Sequence, residues 1–411
     1  MHTIYSILTR IASLALRVSA WFSPKMKLFT KGRRTVWSYL EQERDPNAPL
    51  LWMHVASLGE YEQGLPILKG LRATYPEHQI LLTFFSPSGY EVRKNSPFAD
   101  LVCYLPLDTL GNAKKFIKLT RPKLALFVKY ELWPNYLRYL EQQQVPILLV
   151  SAIFSKRQVY FKPWGRFMRN ALRRIDHIFV QDEGSAHLLQ ELGLKEVSIS
   201  GDTRFDRVAE IAKEALELDF MASFTNGHAC VVAGSTWPED EQLLVPYINN
   251  SSKTVKFVIA PHNIKTAHID TLVTALGKKV VRYSQLEDES IDAYEVLIVD
   301  TIGLLTQIYR YADMAYVGGG FATGLHNTLE PAVFGIPVLI GPQFKGFKEA
   351  EDLVAKKGLL VVTDAKEFET TLDHCLDDAH FARMTGNINA EYVGQRQGAT
   401  KKVLAYVKGL L

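Results

Sequence analysis

The stretch YVGGGFATGLHNTLEPAVFGIPVLIGP, residues 316–342, decides how the chain is read. Residues 314–317 are short and apolar, as a buried strand is. Gly318, Gly319 and Gly320 then let backbone amides approach an anion with no side chain in the way. Past the loop, Asn327 and Thr328 are residue types that start helices, and a helix here would aim its positive end at the same place. Glu330 would fall in the first turn, where a carboxylate is favourable and can accept hydrogen bonds from both hydroxyls of a ribose. Gly335 and Pro337 interrupt the helix, and residues 338–340 form a second apolar strand. A lone GGG would be a tight turn with a helix cap; with HNTLEP and GIPVLIGP beside it, the unit predicts a donor site for a nucleotide sugar.

Working outward, short apolar runs alternate with helical patterns along the rest of the chain, the rhythm of βαβ units. In the first half the strand candidates are 51–55, 80–85, 101–105, 124–128, 147–151, 177–180 and 197–200. In the second half they are 230–233, 256–259, 280–283, 296–299, 314–317, 338–340 and 359–362. Between them, 207–226 reads as a helical connector. The fold class is α/β: two Rossmann-like parallel-sheet domains facing a cleft, the GT-B type. The 411 residues, 47% of them hydrophobic, suffice for two cores. Ligands in such sheets sit at the carboxyl ends of the strands. No short repeat, low-complexity tract or disordered linker interrupts the pattern.

Charge is distributed unevenly. The net +3 hides a basic arm, because residues 1–34 carry Arg10, Arg17, Lys25, Lys27, Lys31, Arg33 and Arg34 and no acid. The remainder holds 40 basic and 44 acidic residues, near −4. Residues 4–22, placed on a helix, set Ser6, Arg10, Ser13 and Arg17 on one face and Ile4, Ile7, Leu8, Ile11, Leu14, Val18 and Phe22 opposite. Two arginines interrupt the roughly 20 apolar residues that a spanning helix needs, so this amphipathic helix is expected to lie in a membrane interface. A tilted span with snorkelling arginines is the alternative, and a core helix with a charged edge is the bland one. The basic cluster after Pro24 suits anionic headgroups. The start has neither a basic n-region nor a small-residue cleavage pattern, which argues against a signal peptide. Cys103, Cys230 and Cys375 are too few and too scattered for a disulfide framework or a zinc site, and they suggest a reducing compartment.

Glu60 follows the strand 51–55 through Ala-Ser-Leu-Gly, where a strand gives way to a helix. A sugar hydroxyl is a poor nucleophile at neutral pH, and a carboxylate in a partly desolvated site can take its proton. Local sequence alone leaves open a glutamate that merely favours the helix dipole.

The blocks WMHVASLGE (52–60), ELWPN (131–135), GDTRFD (201–206), AGSTWPEDE (233–241) and FKEAEDL (347–353), taken with 316–342, resemble the bacterial 3-deoxy-D-manno-oct-2-ulosonic acid (Kdo) transferase family. They occur in the family's order from about residue 50 to 354, behind a family-like membrane-binding segment. The resemblance implies a GT-B glycosyltransferase with a membrane-associating segment 1–34, an acceptor-binding domain 35–206, a connector 207–226 and a CMP-Kdo-binding domain 227–411. It makes Glu60, in the SxGE pattern, the proton acceptor. It places CMP against Pro261 and His262, Ile302, Gly303 and Leu304 at a helix start, and Asn327, Thr328, Leu329 and Glu330. Taken singly, a histidine after a strand is more often packed or capping, and IGLL is more often the first turn of a core helix. Glu131, Arg204, Ser235, Gly318, Gly319 and Gly320 are possible supporting residues; Gly234, Ser235 and Thr236 could bind an anion or cap a helix.

The chain also departs from the family pattern. Where relatives often have PRHPER it has APHNIK, so His262 or Lys265 would stand in for an arginine near the phosphate. The arginine of SARxS is Ile153, the lysine of GNxKFD is Arg204, and a glutamate of the DTMGEL-like segment is Leu304. These changes bear on the contacts more than on the reaction. The resemblance implies inverting transfer of Kdo from CMP-Kdo to the acylated, phosphorylated lipid A precursor in lipopolysaccharide biosynthesis, at the cytoplasmic face of the bacterial inner membrane. No cofactor or metal is expected, since the donor has a single phosphate and no aspartate-rich motif is present, and no nucleic acid partner. Two alternatives are another GT-B enzyme using a UDP-sugar, a glycosyltransferase or an epimerase, and a membrane-bound nucleotide-sensing scaffold with a dead site, which retention of Glu60 and Glu330 disfavours.

Overall fold

Each apolar run becomes one strand of a parallel ladder, because a crossover helix returns the chain to the same end of the sheet. The computed structural model describes residues 2–214, 217–286, 290–322 and 324–411. It divides into two units, Met1–Arg207 with Gln397–Leu411, and Val208–Arg396. The first carries β1 (Leu50–Val55), β2 (Gln79–Phe84), β3 (Leu101–Tyr104), β4 (Leu124–Val128), β5 (Ile147–Ala152), β6 (His177–Val180) and β7 (Val197–Ile199), all parallel, in the order β3-β2-β1-β4-β5-β6-β7. The second carries β8 (Ala229–Thr236), β9 (Val255–Pro261), β10 (Val280–Arg282), β11 (Val296–Ile298), β12 (Met314–Val317), β13 (Val338–Ile340) and β14 (Leu359–Val361), also all parallel, in the order β10-β11-β9-β8-β12-β13-β14.

Both faces of these sheets are covered, so the central strands are buried end to end rather than alternating, whereas the edge strands β7, β10 and β14 are partly exposed. Along β1, Leu50 and Trp52 enter one core while Leu51, Met53 and Val55 enter the other. The second core includes Leu65, Ile67, Leu68 and Leu71 of the helix Leu58–Thr74, and Val403 and Val407 of the C-terminal helix Ala399–Leu410. That helix therefore belongs to the first unit, whereas the sequence placed it with residues 227–411. The Asp206 carboxylate anchors its start, accepting from the amides of Gly398 (2.5 Å) and Thr400 (2.6 Å). In the connector, the helix Thr203–Glu214 spans the division between the units, and Asp219–Thr225 buries Met221 and Phe224. Residues 215 and 216 lie outside the described residues.

The N-terminal helix His2–Ser19 is not the core helix that its pattern also allowed. Ile4, Ile7, Leu8, Ile11, Leu14 and Val18 are all at least half exposed, and Trp21 and Phe22 beyond it more so. The opposite side holds buried Ser6 and Tyr5, whose hydroxyl donates to Asp108 Oδ2 at 2.8 Å and whose ring lies 5.1 Å from Phe167. No helix among the described residues is long and apolar enough to cross a membrane. The basic cluster divides. Lys27, Lys31 and Arg34 are exposed, but Arg33 is turned inward over the rings of Phe29, Phe85 and Tyr104 and donates to the carbonyls of Leu105, Phe29 and Phe85. Burial pushes its guanidinium down to about 9. The side chains of Arg17 and Lys25 lie outside the described set.

Candidate functional site

In the first sheet the chain leaves β1 toward β2 and β3 and later returns to β4 on the other side of β1. The carboxyl ends of β1 and β4 therefore flank a topological switch point, where crossovers diverge and leave a crevice. From β1, Ser57 caps the helix Leu58–Thr74, and Glu60 sits in its first turn, 8% exposed, accepting from the Ser57 hydroxyl. From β4, Lys129 takes a left-handed φ of 68° and delivers Tyr130 and Glu131 to the same end. Burial, then the charges of Glu60 and Glu131, raises the Tyr130 hydroxyl. Burial and then Glu131 and Tyr130 push Tyr160 up to about 12. Glu60, Tyr130, Glu131 and Tyr160 thus form one electrostatic group.

Glu131 approaches a histidine that the sequence did not single out. Buried His54 of β1 receives the indole N–H of Trp133 at Nε2 (3.0 Å), so its proton is on Nδ1, facing the Thr83 carbonyl (3.1 Å) and hydroxyl (2.9 Å). Glu131 Oε2 lies 3.8 Å from the same Nε2. Arg204 is held by Asp202, its Nε 2.7 Å from Oδ2. Its neighbour Thr203 donates to the Gln63 carbonyl in the Glu60 helix at 2.5 Å. The sequence signal for His54 and Trp133 was present, since both lie inside the matched blocks WMHVASLGE and ELWPN.

The second sheet has its own switch point between β8 and β12. Because β11, β9, β8 and β12 are consecutive neighbours, the residues at their carboxyl ends are brought side by side: Ile302–Leu304, Pro261 and His262, Ser235, and the segment from Gly318 to Glu330. A hydrogen bond ties the first group to the last, from Thr306 Oγ1 to Glu330 Oε2 (3.0 Å). Asn327 completes the clamp: its Nδ2 donates to Glu330 Oε1 (3.0 Å) and its Oδ1 accepts the Leu329 amide (3.2 Å). Glu330 also raises the buried Tyr309 hydroxyl, although burial is the larger cause. Two residues before this carboxylate, the buried hydroxyl of Thr328 has no hydrogen-bond partner among the described residues, and neither has that of Thr301 after β11, leaving two polar groups a ligand can satisfy.

Three expectations change here. First, the glycine loop already holds an anion, the chain's own Asp240. Gly319 N donates to Asp240 Oδ2 (2.8 Å), as do Trp237 N (2.8 Å) and, to Oδ1, the Tyr316 hydroxyl (2.6 Å), while Gly318 N is taken by the Gly234 carbonyl (2.9 Å). Burial raises Asp240 against these three donors. The glycines are needed for approach: a Cβ on Gly318 would lie 2.4 Å from the carbonyl of Ser235, itself at φ 54°, and one on Gly320 would lie 2.7 Å from Gly341. Second, the helix after the loop is only Leu329–Ala332, with Thr328 as a cap that makes no side-chain bond. Its dipole is correspondingly small. Third, Ile302 and Gly303 precede the helix Leu305–Ile308 rather than starting it, and Ile302 is 75% exposed, so it is not core.

The sequence also missed a ring stack in this unit. Trp237, after β8, stacks on His262 at 4.7 Å and 18°, and His262 lies 4.6 Å from His326. Trp237 Nε1 donates to His326 Nε2 (3.0 Å), leaving Nδ1 as the protonated nitrogen. Burial, then His262, pushes His326 down to about 4, so it stays neutral at ordinary pH. His326 lies within HNTLEP, but only the fold brings Trp237 beside it.

Known proteins resemble this chain in sequence and in fold. A family model described as "3-Deoxy-D-manno-octulosonic-acid transferase (kdotransferase)" matches residues 30–207. The 3-deoxy-D-manno-octulosonic acid transferase of Aquifex aeolicus is 31% identical over 315 residues, 75% of this chain and 80% of that protein. The enzyme of the same name from Chlamydophila psittaci is 26% identical over 358 residues, 85% of this chain and 82% of that one. In fold, the UDP-GlcNAc 2-epimerase of Neisseria meningitidis superposes with a TM-score of 0.63 at 15% identity, covering 88% of this chain and all of that one. MurG of Acinetobacter baumannii superposes at 0.54 and 10%, covering 88% of this chain and 99% of that chain. Extended identity to the Aquifex enzyme, together with the paired Rossmann-like sheets, makes this chain a glycosyltransferase that belongs to the 3-deoxy-D-manno-octulosonic acid transferase family.

Proposed function

We propose that this chain transfers Kdo from CMP-Kdo to the acylated, phosphorylated glucosamine disaccharide of the lipid A precursor, with inversion and without a metal ion, at the cytoplasmic face of the bacterial inner membrane. The observation that carries the donor half is the clamped carboxylate of Glu330, held from both sides by Asn327 and Thr306. A fixed carboxylate suits the two vicinal hydroxyls of a ribose, since charge-assisted bonds reward preorganisation. Exposed Ile302 offers an apolar surface for a nucleobase, and neutral His326, with Nδ1–H as donor, offers a hydrogen bond to a phosphate without requiring a cation.

For the acceptor half, Glu60 takes the proton of the attacking hydroxyl as its oxygen bonds to the anomeric carbon of Kdo. The bond from that carbon to the phosphate oxygen breaks with its electron pair, and CMP departs. Ser57 orients the carboxylate of Glu60. The outward apolar face of His2–Ser19 and the exposed cations beside it support a lipid-borne acceptor. Incubation of the full chain with CMP-Kdo and tetra-acylated precursor, followed by mass spectrometry of the lipid, should show the mass of added Kdo with release of CMP. Unmodified lipid, or transfer from a UDP-sugar instead, would overturn the proposal.

A further inference from the structure

The amino-terminal ends of the strands in the first sheet carry a groove unconnected with the residues above. It has a volume of about 1050 Å³ and lies where the chain enters β1, β4 and β5, walled by the ends of two helices, Leu110–Thr120 and Pro134–Gln142. Its lining includes Arg44, Lys114, Lys118, Arg121 and Lys123, and no aspartate or glutamate. Parallel sheets place ligands at the opposite, carboxyl ends, where Glu60 and Glu131 are, so the groove is separate from the proposed transfer site.

Five cations around one concavity repel one another. Here two neighbouring acids are paired elsewhere, Glu141 with Arg174 (2.8 Å) and Glu41 with Lys115 (3.0 Å), which is not in the lining, and among the described residues Asp45 alone offsets part of the charge of Arg44. Arg44 donates to neutral oxygens, the Thr120 carbonyl (3.1 Å) and Gln79 Oε1 (2.8 Å). Its guanidinium is lowered by burial, partly offset by the charge of neighbouring Asp45, and lowered to a smaller degree by Arg121. A helix carboxyl end favours cations only within its last turn. That accounts for Lys118 and Arg121, but not for Arg44, Lys114 or Lys123. A concave cluster of five cations, offset by one neighbouring carboxylate, focuses potential onto an anion.

We propose that this groove binds a ligand carrying two or more closely spaced phosphate groups, at a site distinct from the donor site. Sodium tripolyphosphate, titrated into the full chain at low ionic strength, should bind saturably and leave CMP affinity unchanged. Lys118→Gln with Lys123→Gln, both exposed and remote from the cores, should weaken it at least tenfold, while Lys115→Gln should change it less than twofold. Sedimentation with cardiolipin vesicles, whose headgroup joins two phosphates through one glycerol, forms the second arm. If tripolyphosphate fails to bind but the double variant lowers vesicle binding of the full chain, the phosphates are those of lipid headgroups and the site stands. The proposal is overturned if neither probe responds to the double variant, or if CMP displaces tripolyphosphate.

Discussion

Replacing Glu330 by alanine tests the donor site most directly. Its carboxylate accepts from Asn327 Nδ2 and Thr306 Oγ1, both at 3.0 Å, so it is oriented before any ligand arrives. If it also accepts both ribose hydroxyls, two charge-assisted bonds are lost, each worth about 1.5–3 kcal/mol, and water restores part of them. The expected loss in CMP binding is about 2–4 kcal/mol, or roughly thirty- to nine-hundredfold in Kd. Calorimetry with CMP measures this, and 2′-deoxy-CMP supplies the counterpart, since removing one hydroxyl should cost the wild type about half as much and the variant almost nothing. Stability has to be followed in parallel, because Asn327 and Thr306 lose a partner, at about 1–3 kcal/mol. Thr306→Val keeps the charge but frees one oxygen, and should weaken CMP by a few-fold only. An unchanged Kd in a folded Glu330→Ala protein would refute the assignment and move the ribose elsewhere.

Glu60→Gln should bind CMP normally and lose most turnover, by about a hundredfold or more; near-normal turnover would remove Glu60 as the base. Neutralising Lys27, Lys31 and Arg34 while keeping the inward-turned Arg33 should weaken binding to anionic vesicles by about 1 kcal/mol per charge at low salt, less at high salt, with CMP binding unmoved; equal loss of CMP affinity would argue against membrane docking. Arg33→Gln should instead lower the melting temperature, and an unchanged melting curve would contradict its anchoring contacts. Asp108 is raised to about 6 by burial, despite bonds from the Asn135 and Tyr136 amides and Tyr5. Its raised folded value means that stability present below about pH 4 is lost as pH rises through about 6, by up to about 3 kcal/mol. Asp108→Asn should flatten that part of the urea-midpoint profile, and a slope that survives would assign it to other groups.

The strands were legible because parallel sheets covered on both faces need apolar runs of strand length, and each run located in the sequence lies in a ladder. What sequence could not supply were contacts between distant segments. Asp240 sits in AGSTWPEDE with no local sign that it would occupy the amide of Gly319. The GGG pattern was informative about close approach but not about what approaches: a carboxylate from the same sheet end meets the demand that a phosphate would. Asp206 and the start of the C-terminal helix are a second case, more than 190 residues apart in sequence (192 and 194) and joined by two bonds. Thr306 likewise becomes visible only when β11 and β12 place their following segments together.

The orientation of the N-terminal helix links that geometry to its chemistry. In a water-soluble unit, an amphipathic helix turns its apolar stripe to the core. Here Tyr5 and Ser6 face the body, with Tyr5 bonded to Asp108, while six aliphatic side chains point out. Each is about half exposed, so covering it is worth roughly 1 kcal/mol. Left in water, that stripe gives nothing in return for ordering the helix; laid on an acyl boundary, it supplies several kcal/mol in addition to what the exposed cations gain from headgroups. The Tyr5 to Asp108 contact then fixes which way the stripe faces, and Arg33, buried in the aromatic pocket behind, holds the next helix to the sheet edge. Tyr5→Phe separates these roles: if the stripe is what meets lipid, as proposed, the variant should preserve vesicle affinity while loosening the helix from the body as faster amide exchange.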